Sequence, residues 1–402
     1  MSQESRSASA IPPRPVATAL ALSLAAAIAL GVSRLSYGLL LTPMRVDLGW
    51  SYLLAGSMNT ANAIGYCIGA MTTPLLMRRL DIWRLLIIGS ILTSIFMLLS
   101  GVVTDAMVLI LLRTVTGAAS ASVFVIGGLL ATRLGSMHRE RAGFLIGLYY
   151  GGTGLGIVLS ALLVPASLSA APLLGGTHDW QWAWLVLGAA CLAGTAVMAM
   201  PAKAIGEMPA DHGAKADFLM RDFGFALAAY FMFGVGYIAY MTFVIALLKQ
   251  QGMQGGTITL FYTLLGVTVV ASSRLWAPML DRFKGGESLA IFNGVAGVVS
   301  VLPALTASVP IAFVSGLAFG AVLLSAVAST TVLVRHNLPQ ASWSSAISAF
   351  TVVFALGQII GPVMVGWVAD GPGGLERGLI VSAVALFVGA ALASRQKPLA
   401  PK

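Results

Sequence analysis

The chain has 402 residues, 58% of them hydrophobic and only 9% charged, with a formal net charge of +9 and a mean hydropathy of +0.92. A soluble domain carries roughly 25% charged residues, so a soluble fold is excluded. A membrane β-barrel is excluded as well, because its strands would alternate apolar and polar residues over about 10 positions.

Residues 1–15, rich in Ser, Pro and Arg, are expected to form a disordered cytoplasmic tail. The apolar run that follows is too long for a cleaved signal peptide. Stretches of about 20 apolar residues, each able to cross about 30 Å of hydrocarbon, then recur to the end of the chain. Twelve spans are expected, at 16–41, 52–77, 84–103, 107–132, 143–168, 181–200, 222–248, 257–280, 287–306, 309–333, 343–369 and 376–394. Arg45, Lys249 and Arg377 are the only cations expected on outer segments, and Arg34, Arg113 and Arg274 fall within spans. All the other Lys and Arg lie on inner segments, a bias that sets both termini in the cytoplasm. The cation excess is then a property of loops facing anionic lipid headgroups and requires no nucleic-acid partner. Cys67 and Cys191 both fall in spans, which speaks against a disulfide or a metal site.

The longest polar interval, 201–221, divides the chain into an N-terminal six-helix bundle (16–200) and a C-terminal one (222–394), with a cytoplasmic tail at 395–402. Parallel halves joined by an inner loop are the architecture of many secondary transporters. The halves echo each other: Pro74 precedes Arg78, Arg79 and Asp81, as Pro278 precedes Asp281 and Arg282.

With these features the chain resembles the major facilitator superfamily. GAMTTPLLMRRLDIWR (69–84) is a degraded form of that superfamily's Gly-x-x-x-Asp-Arg-x-Gly-Arg-Arg loop, and Asp-Arg-Phe-Lys-Gly-Gly (281–286) is closer to it. LLRTVTGAASA (111–121) resembles the fourth-span motif with arginine four residues before glycine, and GQIIGPVMVGWVAD (357–370) looks like an eleventh span. SRLSYGLLLTPMRVDLGWS with NTANAIGYCIGA (59–70) resembles the YbfB/YjiJ-type branch. The resemblance implies an all-α polytopic fold of 12 transmembrane helices in two six-helix bundles around a central cavity. It also implies a conformational-gating role for Arg78, Arg79, Asp81, Asp281 and Arg282. For Arg113 it implies proton coupling or substrate binding, and for Arg274 a contact with a substrate carboxylate.

The residues themselves pose an electrostatic question. No Asp or Glu lies well inside any expected span, yet a charge at mid-bilayer costs several kcal/mol unless offset. Arg34 sits roughly 13 Å from the outer end of the first span. Its planar fork suits bidentate binding of a carboxylate or phosphate. Tyr37, at i+3, is expected to share that ligand. Asn59, Asn62 and Tyr66 form a polar stripe on the second span, and Tyr230, Phe233, Tyr237 and Tyr240 an aromatic one on the seventh. Asn59, Asn62, Tyr237 and the isolated Gln358 are candidates for the substrate path. For each there is a plainer alternative: interhelical hydrogen bonding for Arg34, Arg113 and the amides, and snorkelling to the interface for Arg274. GLYYGGTGLG (147–156) follows no strand and permits close helix packing rather than nucleotide binding.

The expected function is secondary active transport of a small organic anion, a carboxylate above all, across the cell (inner) membrane by alternating access, with protons as one option for the coupling ion. The alternatives are an efflux pump for drugs or metabolites and, ranked last, a non-transporting sensor or scaffold. No cofactor, metal or catalytic residue is expected, the protein is not read as an enzyme, and a monomer is expected.

Overall fold

A proline opens the first helix of the computed structural model, which describes residues 14–206 and 219–399. Most of the expected N-terminal tail, the middle of the 201–221 loop and the end of the C-terminal tail lie outside the described residues. Pro15 stands in the first turn of α1 (Pro15–Ala26), where the missing N–H costs nothing. The chain continues through a π-helix (Ala27–Leu35) into α2 (Tyr37–Asp47), and together they form one apolar element of 33 residues.

There follow α3 (Tyr52–Leu76), α4 (Ile82–Ser100), α5 (Ala106–Met137), α6 (Ala142–Leu174) and α7 (Asp179–Ala204). After the undescribed segment come α8 (Gly224–Gln250), α9 (Gly255–Leu275), α10 (Ala277–Arg282), α11 (Glu287–Leu305), α12 (Val309–Asn337), α13 (Trp343–Ala369) and α14 (Gly374–Ala393). Side-chain caps fix several starts. The Ser51 hydroxyl accepts from Leu54 N at 3.1 Å, Asp81 from Arg84 N at 3.0 Å, and Asp105 from Val108 N at 2.9 Å, each satisfying an amide that the helix leaves open. The expected span 257–280 breaks at Trp276. Pro278 cannot donate to the ladder and its ring opposes the carbonyl of Arg274.

Eleven of these elements are long and apolar enough to cross a membrane. The 25-residue α3 is not one of the eleven, because Asn59, Thr60, Asn62, Thr72 and Thr73 lower its hydropathy.

Helices 15–204 pack chiefly on one another, and so do helices 220–393. Within the first group α3 lies tightly on α5, and a Cβ at Gly65 would collide with the backbone carbonyl of Thr114. The seam between the groups is made by α6 on α9, α3 on α13 and α2 on α8. At Gly56 the backbone of α3 reaches the carbonyl of Pro362 on α13. Hydrogen bonds cross this seam. The amides of Tyr52 and Leu53 donate to the two carboxylate oxygens of Asp370 at 2.7 and 2.9 Å. Thr60 donates to the Ile359 carbonyl and Tyr262 to the Leu35 carbonyl, each at 2.7 Å.

Candidate functional site

The π-helix positions the central cation. Its i→i+5 bonding winds the chain less per residue than an α-helix, a geometry that recurs at functional sites. Arg34 lies in its last turn and is 1% exposed. Its Nε and Nη2 have no hydrogen-bond partner, and its guanidinium carbon stands 5.6 Å from the centre of the Tyr66 ring. Among the described residues the one ion pair is His178–Asp47 at 2.5 Å, with Trp180 also donating to Asp47. Arg34 therefore carries a buried charge with neither a counter-ion nor a full set of acceptors, an arrangement that is costly in lipid.

Arg113, 2% exposed on α5, is held differently. Its Nη1 donates to the Ser33 carbonyl at 2.7 Å and its Nη2 to Asn59 Oδ1 at 3.2 Å. The Tyr37 and Trp184 rings flank it at 5.2 and 5.3 Å. Asn59 passes the chain on, donating from Nδ2 to the Thr242 hydroxyl on α8 at 2.7 Å. Asn62 donates to the Arg113 carbonyl at 3.2 Å, and its Oδ1 is unpartnered. Arg113 thus has neutral acceptors that orient its side chain without cancelling its charge, and the resulting network links α5, α3 and α8 beside Arg34.

Residues 26–394 match the family described as "Uncharacterised MFS-type transporter YbfB". The chain belongs to that family. The solved structures it resembles include transporters. One is a bacterial homologue of the human lysosomal transporter Spinster, inward-facing and unoccupied, at 16% identity and TM-score 0.73 over 95% of this chain and 96% of that one. Another is the nucleoside transporter NupG, at 14% identity and TM-score 0.72 over 94% and 98% of the two chains. At these identities the likeness is one of fold. Among curated proteins no sequence matches. The protein is thus an MFS transporter with several membrane spans.

Within this MFS transporter the structure gathers Arg34, Tyr37, Asn59, Asn62 and Arg113 near one another. The Tyr37 hydroxyl donates to the Ala55 carbonyl at 2.8 Å and its ring faces Arg113. Tyr237, 7% exposed, joins an aromatic row with Phe233 and Phe354. Gln358 is buried on α13. Arg274 is not part of the cluster; it is exposed, with its guanidinium 4.5 Å from the Phe144 ring. Of the five expected gating residues, Asp81 caps α4, Arg78 and Arg79 border a concave surface with Leu75, and Asp281 and Arg282 lie on α10. No ion pair joins them among the described residues.

Four participants have only a weak sequence signal or none. Tyr66 stood in the polar stripe of the second span without being singled out. Trp184, Thr242 and the Ser33 carbonyl reach the network only through tertiary packing, and no motif announces them.

Proposed function

We propose that this MFS transporter carries a small organic anion, in particular a carboxylate, across the cytoplasmic membrane by alternating access, with both termini in the cytoplasm. The observation that carries this reading is Arg34: fully buried, with Nε and Nη2 unpaired and no acidic neighbour within ion-pair distance. A carboxylate would supply both the charge and the two acceptor oxygens that the fork lacks. Arg113, oriented by Ser33 and Asn59, adds a second positive charge to the same field. The cationic-drug reading is disfavoured by the same field, which repels a positive substrate.

The seam favours rocking of the two halves. Its hydrogen bonds involve Tyr52, Leu53, Thr60 and Asp370, at the end of the molecule poor in arginine. By the charge bias this is the outer face, so the arrangement reads as inward-facing. With no carboxylate in the core, a proton would travel on the substrate, or the protein would exchange one anion for another.

Thermal stabilisation of purified protein by a panel of carboxylates tests the reading. At least one acid should raise the melting temperature of the wild type, and Arg34→Gln should weaken its binding about 10- to 100-fold, as expected for a lost charge-assisted hydrogen bond. If no acid stabilises the wild type, or if Arg34→Gln binds as tightly, the anion reading fails.

A further inference from the structure

Along α8 and α13 runs a row of aromatic rings that the transport reading leaves unused. Tyr230 and Phe354 stack with centroids 4.6 Å apart and planes 11° apart; Tyr237 and Phe354 stack at 5.4 Å and 15°, and Phe233 and Tyr237 at 5.3 Å and 17°. Buried aromatic pairs adopt edge-to-face as well as offset-parallel arrangements. Here Tyr230, Phe233 and Tyr237 of α8 and Phe354 of α13 lie nearly parallel, while Phe350 of α13 is tilted by 58° to Tyr230. The row ends at Tyr237 on α8, the helix whose Thr242 accepts from Asn59 on α3, and Tyr66 lies about two turns along α3 from Asn59. Tyr66 presents its own ring to the Arg34 guanidinium from α3, a helix of the same N-terminal group. Tyr66 and Phe354 are only half-buried, and Tyr150, which packs edge-on against Tyr149, is 37% exposed.

From this we infer that the preferred substrates are planar aromatic or heteroaromatic carboxylates, with the carboxylate on Arg34 and the ring extending the stack at Tyr237 and Phe354 or covered by Tyr66. The inference rests on the anion reading above and narrows it. A saturated acid of the same size satisfies the guanidinium equally well. A flat ring gains in addition the quadrupolar contact that parallel faces offer. An aromatic amide gains the stacking and forgoes the charge. The three ligand types therefore separate the two halves of the inference.

Binding of benzoate, 2-naphthoate, cyclohexanecarboxylate and benzamide to detergent-purified wild-type protein, followed by quenching of intrinsic fluorescence, is the test. Benzoate and 2-naphthoate should bind about five- to tenfold more tightly than cyclohexanecarboxylate, with benzamide the weakest. Phe354→Leu and Tyr66→Leu should bring the ratio of benzoate to cyclohexanecarboxylate affinity towards unity. The wild-type ranking stands even if a variant fails to fold. Equal affinity for the aromatic and saturated acids overturns the aromatic inference and leaves the anion reading intact. Benzamide binding as tightly as benzoate, or no binding by any acid, overturns both.

Discussion

Replacing Arg113 by Gln removes the donors that hold the Ser33 carbonyl and the Asn59 amide oxygen. Replacing Arg34 by Gln removes a charge whose Nε and Nη2 hold nothing. Leaving buried acceptors unsatisfied costs about 1–3 kcal/mol each, whereas deleting an unpaired buried charge relieves a penalty. Arg113→Gln should therefore lower the melting temperature clearly, and Arg34→Gln should leave it equal or higher. Thermal unfolding of the two variants in the same detergent checks this, and a large loss of stability in Arg34→Gln would mean that its side chain serves the fold. Much of this was legible in the sequence: three arginines in apolar spans without acidic partners already posed the question. The sequence could not rank them. Arg34 and Arg113 look alike in a hydropathy plot, and only packing against Ser33, Asn59 and Trp184 separates the tethered arginine from the free one. Arg274 stays outside because its long stem carries the head to an exposed position over Phe144.

At the scale of elements, composition located nearly every helix to within a few residues, because about 20 apolar residues have few other uses. Two features escaped it. The π-helix at Ala27–Leu35, which carries Arg34 in its last turn, has no compositional mark. The break at Trp276 follows from Pro278, a residue that had been read only as an echo of Pro74. The seam makes the elements' most specific prediction. Asp370 ends α13 and accepts from the first amides of α3, placing a negative charge at a helix N-terminus, worth roughly 0.3–1 kcal/mol and up to ~2 kcal/mol when partly buried. Asp370→Asn should shift the balance towards the state open at this end by about two- to thirtyfold. Spin labels at the exposed positions Val46 and Arg377 should report a larger population of long distances; an unchanged distribution would remove Asp370 from the latch. Gly65→Ala acts within one group of helices instead. Its Cβ meets the Thr114 carbonyl, so it should cost about 1–3 kcal/mol of stability without biasing that distribution.

The whole molecule explains why its central charge is tolerated. α8 is buried along most of its length and meets α2, α13 and α14. Its Thr242 receives the hydrogen bond that Asn59 relays from Arg113, so the same helix touches both halves at the depth of the cations. A bundle of this kind can hold an uncompensated guanidinium at its centre if the binding energy of a transported anion offsets the cost during part of the cycle. Counterflow of labelled benzoate into proteoliposomes preloaded with unlabelled benzoate tests that account most directly. Wild-type protein should accumulate label transiently and Arg34→Gln should not, although it reconstitutes equally well. Equal counterflow by the two proteins would contradict the account.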